Sequence, residues 1–122
     1  YVLLVNPLIE VSTKEIFKKL DQNFFYNTDF SEEFLEKNKI INFLKNRKNI
    51  LEEPAIQSCQ VISNILSVLR NETNSLISRM TGSGATCYGL FNSLNDVSIA
   101  ERKIKNFDRD LWVKKTKIIN RI

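Results

Sequence analysis

Histidine is missing from the 122 residues altogether. That excludes imidazole acid/base catalysis, Ser-His triads and most zinc sites. Cysteine is scarce too: Cys59 and Cys87 lack the close spacing of a zinc knuckle or a redox dithiol, and two cysteines make no disulfide framework. Both read as small buried apolar residues. No run approaches the roughly 18 apolar residues that cross a bilayer, and no basic-then-apolar leader opens the chain. The expectation is a cytoplasmic protein without membrane contact. Proline occurs twice and glycine three times, and no linker, repeat or low-complexity tract is visible.

What is present reads as an ordinary globular domain, with 43% hydrophobic and 26% charged residues. A chain of this length fits one domain, residues 1–122, with a single core. It opens on Tyr1 inside the strand-like "YVLLVNP", so a piece of a longer protein is expected.

The chain punctuates itself clearly. Val2 to Val5 is an apolar run closed by Pro7, which predicts a buried strand. Ser12 with Glu15 three residues on makes a capping box for a helix over about 13–20, carrying Ile16, Phe17 and Leu20. Ser31 is placed to cap a helix bearing Phe34, Leu35, Ile41 and Leu44. Ala55, Cys59, Ile62, Leu66 and Leu69 recur at helical spacing, which predicts one long helix with Pro54 in its first turn and its end near Arg70. Leu76 to Thr81 and Thr86 to Phe91 read as a strand hairpin. Asn95 is expected to cap a helix carrying Val97, Ala100, Ile104 and Phe107, and Trp112 to Ile119 to form a last strand. The order matches an α+β, ferredoxin-like split βαβ sandwich: an antiparallel sheet with helices packed on one face.

All three glycines, Gly82, Gly84 and Gly89, fall inside "RMTGSGATCYGLF". The turn "TGSGA" is longer and smaller than a two-residue hairpin needs. Small residues with free φ let successive N–H groups converge into a nest for phosphate oxygens. Plain connections also use Gly-Ser-Gly, and neither the Walker nor the dinucleotide glycine pattern is present.

The same stretch resembles the third signature motif of the GHMP kinases, most of all its version in the branch that phosphorylates a cytidine diphosphate methylerythritol. "YVLLVNPLIEVSTKEIF" resembles that branch's entry to its C-terminal domain, and "NILEEPAI" resembles its Asn-Asp-Leu-Glu helix start. The resemblance implies a C-terminal domain of an ATP-dependent kinase of non-mevalonate isoprenoid synthesis. It implies a small-molecule nucleotide-sugar-alcohol substrate, and ATP with Mg2+ in the full enzyme but none bound to this chain alone. The ATP-gripping motif and the catalytic residues would lie in an N-terminal domain absent here, the chief expected partner, so no catalytic residue and no metal ligand is assigned. The loop Thr81, Gly82, Ser83, Gly84 and Ala85 would line the cleft between domains, with Thr13 as a substrate-side candidate. Two positions depart from the pattern: the family's glycine after the first proline is Leu8, and the aspartate of Asn-Asp-Leu-Glu is Ile50.

Other readings stay open. A stand-alone ferredoxin-like ligand-binding or interaction module without activity fits the same elements. Arg102, Lys103, Lys105, Arg109, Lys114, Lys115, Lys117 and Arg121 form a late basic run within a net charge of +4. Glu101, Asp108 and Asp110 interrupt it, and Phe107 and Trp112 are expected in the core, so no specific nucleic acid is expected. Glu32, Glu33, Glu52 and Glu53 read as first-turn acids that suit the helix dipole. A half enzyme is further expected to expose an apolar patch beside the glycine loop, through which it forms a homodimer.

Overall fold

The structure, a computed structural model, describes residues 1–19 and 37–119. Its elements run β1 (Val2–Asn6), α1 (Thr13–Lys18), α2 (Lys37–Lys45), α3 (Glu52–Ser58), α4 (Gln60–Glu72), β2 (Ile77–Met80), β3 (Cys87–Leu90), α5 (Leu94–Phe107) and β4 (Trp112–Thr116). The four strands form one sheet in the order β2-β3-β1-β4, antiparallel throughout. This is the split βαβ arrangement expected from the sequence. The most apolar strand, β1, takes an interior place, with Leu3 opposite Gly89 on one side and Lys115 on the other.

Strand alternation sorts the side chains. Leu3, Val5, Cys87 and Met80 point into the core beneath α4 and α5, where Ile62, Ile65, Leu66, Leu69, Val97, Ala100 and Ile104 are buried. Each large aliphatic side chain so buried contributes about 1.5–3 kcal/mol of transfer free energy. Leu90 faces the other side, where it joins Ile40, Ile41 and Leu44 of α2 and Leu76 around an apolar pocket of about 300 Å³.

Several elements differ from the sequence reading. The long helix is two, α3 and α4, separated at Cys59, whose backbone is extended (φ −147°, ψ 96°). Neither glycine nor proline stands at the break, so tertiary packing sets it: the corner lets Ala55 of α3 and Ile62 of α4 both reach the glycine loop at Gly84. Ser93, not Asn95, caps α5, its hydroxyl accepting from the Asp96 N–H at 3.1 Å. Ser93 is extended and outside the helix, whereas Asn95 is already inside it. Phe107 and Trp112 are 47% and 44% exposed instead of buried. Phe107 ends its helix beyond the sheet edge, and Trp112 lies on an edge strand. β4 stops at Thr116, short of Ile119. Ser31, Glu32, Glu33, Phe34, Leu35 and Arg121 lie outside the described residues.

Candidate functional site: a braced glycine hairpin

β2 and β3 are joined by residues 81–86, and the turn closes on itself. The Thr81 N–H donates to the Thr86 carbonyl at 2.8 Å and the Gly84 N–H to the Thr81 carbonyl at 3.1 Å. Two glycines make this possible, because Gly82 and Gly84 have φ of +51° and +95°. Gly84 is needed twice over: a Cβ there would stand 2.9 Å from Met80 Sδ and within 4 Å of Ile62 and Ala55. Gly89 serves packing alone, since a Cβ would stand 2.9 Å from the Phe91 ring.

Thr81 and Gly82 are exposed, Ser83 and Gly84 half-buried, and Ala85 turns its methyl into the core. Among the described residues, the N–H groups of Gly82, Ser83 and Ala85 make no backbone hydrogen bond. Of these, Gly82 is exposed and Ser83 half-buried, whereas Ala85 is buried.

Three neighbouring segments hold the loop. Thr13, at the start of α1, shares a hydrogen bond with the Ser83 hydroxyl at 3.1 Å. Its helix is capped by Ser12, whose hydroxyl accepts from the Glu15 N–H. The sequence pointed to Thr13 and to the loop separately; the fold puts them in contact. Asn6 donates to the Thr86 hydroxyl at 2.9 Å and accepts the Leu8 N–H at 2.7 Å. Leu8, where the family pattern has glycine, holds a left-handed backbone with φ +59°, a conformation that glycine adopts readily.

The third brace is the one sequence reasoning missed. Asn49 donates to the Met80 carbonyl at 3.0 Å and to the Gly82 carbonyl at 2.6 Å, and its own carbonyl accepts the Leu51 N–H at 3.0 Å. Glu52 accepts the Met80 N–H at 3.2 Å and pairs with Arg70 at 3.1 Å. Arg70 in turn donates twice to the Ser78 carbonyl, at 2.8 and 3.2 Å. Together they occupy the Ser78 carbonyl and the Met80 N–H and carbonyl on the outer edge of β2, an edge otherwise open to pairing with another chain. Glu52 is therefore more than a first-turn acid. The signal was "NILEE", read for its missing aspartate at Ile50 when its working members are Asn49 and Glu52.

Beneath the loop, burial together with the Glu52 carboxylate pushes the Cys87 thiol up to about 12. Burial also raises the Tyr88 phenol. Both cysteines are buried and free. A depression of about 370 Å³ behind β2 is lined by Lys45, Arg70 and Arg79. Arg70 is tied to Glu52, and Arg79 donates to the Lys45 carbonyl at the end of α2. Among the described residues no group of three or more acidic or thiol side chains is placed to hold a metal ion, and no helix is long and apolar enough to cross a membrane.

A ferredoxin-like sandwich whose edge hairpin carries a glycine turn braced to the first strand, the first helix and a helix start is the class of domain defined here. Its family follows from comparison: the sequence profile of the GHMP kinases C terminal family matches residues 31–110, and the chain belongs to that family. A 4-diphosphocytidyl-2-C-methyl-D-erythritol kinase of Wolbachia pipientis wMel is 34% identical over 119 residues, covering 97% of this chain and 41% of that protein. The kinase of the same name from Paracoccus denitrificans is 37% identical over 115 residues, covering 92% and 41%. The crystal structure of a 4-(cytidine 5'-diphospho)-2C-methyl-D-erythritol kinase matches the fold with a TM-score of 0.66 at 18% identity, over 92% of this chain and 41% of that one. The chain thus spans about two-fifths of the length of the relatives it matches.

Proposed function

We propose that this chain is the C-terminal, cleft-lining portion of an ATP-dependent kinase. Its substrate is 4-(cytidine 5'-diphospho)-2-C-methyl-D-erythritol, phosphorylated on a hydroxyl of the methylerythritol in non-mevalonate isoprenoid synthesis. The observation that carries the reading is the glycine hairpin, held by Thr13 and Asn49, with Gly82 and Ser83 N–H groups that make no backbone hydrogen bond among the described residues, in a chain matched almost end to end by kinases of that name.

Phosphoryl transfer is catalysed mainly by positioning and by stabilising charge on the moving group. Backbone donors on a preformed turn suit that task. In this reading Thr81, Gly82, Ser83 and Gly84 shape the cleft wall, Ala85 anchors it in the core, and Thr13 presents a hydroxyl on the substrate side. The acidic groups that Mg2+ requires are not clustered among the described residues. In the same reading ATP, its metal and the catalytic residues belong to an N-terminal domain, the principal partner, and the protein works in the cytoplasm. The cleft face that the partner covers is also the face through which a homodimer of this chain forms.

The test is phosphoryl transfer from ATP to the cytidine diphosphate substrate, with the N-terminal portion of the wMel relative supplied as a separate polypeptide. NMR shift mapping on this chain accompanies it. Transfer, with shifts at Gly82 to Ala85 that require the partner, supports the kinase. Folded protein with neither transfer nor shifts would leave an interaction module without activity.

A further inference from the structure

We propose that Asn49 is a positioning residue of the glycine loop: by gripping two carbonyls it turns the Ser83 N–H into the mouth of the cleft, beside the Ser83 and Thr13 hydroxyls, as a donor for a phosphate oxygen. This deepens the kinase reading and rests on it.

A planar trans peptide unit carries its C=O and N–H on opposite sides. The Met80–Thr81 unit demonstrates it: its carbonyl points to the Asn49 amide, and its N–H points the other way, to the Thr86 carbonyl at 2.8 Å. The Gly82–Ser83 unit has its carbonyl on the same Asn49 nitrogen, at 2.6 Å. Its N–H, that of Ser83, is accordingly directed away from Asn49 and meets no backbone acceptor among the described residues. The Ser83 hydroxyl lies 3.1 Å from that of Thr13; one of the two donates to the other, so the pair leaves one free O–H, which joins the Ser83 N–H as the donors at this end of the turn. Asn49 is itself fixed through its side-chain carbonyl, which accepts the Leu51 N–H at the start of α3. An amide is required, because both loop contacts accept hydrogen bonds and a carboxylate donates none.

Amide hydrogen exchange on the unmodified chain tests the geometry without a variant. The Thr81 amide is expected to be protected and the Ser83 amide to exchange freely; a protected Ser83 amide overturns the proposal. Asn49→Asp, nearly isosteric, is expected to move the Ser83 amide resonance while amides of β1 and α5 stay in place. In the two-polypeptide kinase it is expected to lower kcat on the order of tenfold to a hundredfold, the scale of a small misplacement of reacting groups. KM for ATP, set by the partner domain, is expected to stay within about twofold of wild type; because a loss of folded protein would also lower apparent kcat at constant KM, kcat is taken per folded chain, counted from the intensities of the β1 and α5 amides. An unchanged kcat, or an unchanged Ser83 resonance, overturns the role. If the variant fails to fold, the exchange pattern of the wild type decides. If the wild-type pair transfers no phosphoryl group, the kinase reading falls and the exchange pattern still judges the loop geometry.

Discussion

Leu8 shows how much one residue can hide. Its sequence position signals only a departure from a family glycine, yet its backbone keeps the φ of +59° that the glycine would supply, with the side chain 70% exposed. A left-handed leucine costs about 1–2 kcal/mol, and glycine's greater freedom in the unfolded chain returns about 0.5–1 of that. Leu8→Gly is expected to stabilise the protein by roughly 0.5–1 kcal/mol in urea unfolding; a loss of stability would mean that the leucine is not strained. Cys87 makes a second case. Its burial was legible from residue type, but the carboxylate that helps hold its proton was not, because Glu52 is far away in sequence. The folded thiol titrates at about 12 and an unfolded one near 8.5. The unfolded state therefore loses a proton first, and the stability present below about pH 8.5 is lost as pH rises toward 12, with a slope of up to about 1.4 kcal/mol per unit. Urea midpoints between about pH 7 and 9, below the ordinary tyrosine pKa of about 10, should fall less steeply for Cys87→Ala than for wild type. Parallel slopes would refute the assignment.

At the scale of elements, the sequence announced those governed by local chemistry. The β1 run, the Ser12 cap and the β2–β3 hairpin all stand where side-chain pattern and turn residues put them. It failed where distant partners decide. The helix read as continuous through Cys59 breaks because both halves pack on one glycine turn, and the 4-and-3 spacing persists across the corner since both halves bury the same side. The choice of Ser93 over Asn95 as cap turned on one residue's extended backbone, which composition does not reveal. Of the glycine hairpin, the sequence showed its place and its need for positive φ but not the brace from Asn49, whose contacts span 31 and 33 residues. The two turn glycines are expected to separate on substitution. Gly82→Ala meets open space and bears only the left-handed backbone cost, about 1 kcal/mol. Gly84→Ala adds a Cβ 2.9 Å from Met80 Sδ, hemmed by Ile62 and Ala55, and is expected to cost about 2–4 kcal/mol. Thermal unfolding of the two variants side by side checks the ranking, and equal losses would mean that the loop is not seated on the α3–α4 corner.

Across the whole molecule the charged and apolar surfaces divide. Part of the basic run is taken up internally, with Lys115 and Lys105 on Glu101 and Lys103 on the Glu72 carbonyl. The apolar surface gathers elsewhere: Leu8 and Ile9 flank the turn after β1, and Phe17, 54% exposed, lies one helical turn beyond Thr13 on the same face of α1. These side chains stand on the two segments that Asn6–Thr86 and Thr13–Ser83 hydrogen bonds tie to the glycine loop. Exposed apolar side chains on the segments that hold a polar turn suit the proposed contact with an N-terminal domain. Phe17→Asp separates this role from folding. The side chain is half exposed, so the change is expected to alter unfolding free energy by no more than about 0.5 kcal/mol. A carboxylate placed at the centre of an apolar contact should weaken association with the N-terminal portion of the wMel relative more than about tenfold, as read by titration calorimetry. If the chain self-associates through the same surface, sedimentation will show the variant as a monomer. Undiminished binding to the N-terminal portion would place that partner's contact on another face, the exposed edge strand around Trp112 being the next to examine.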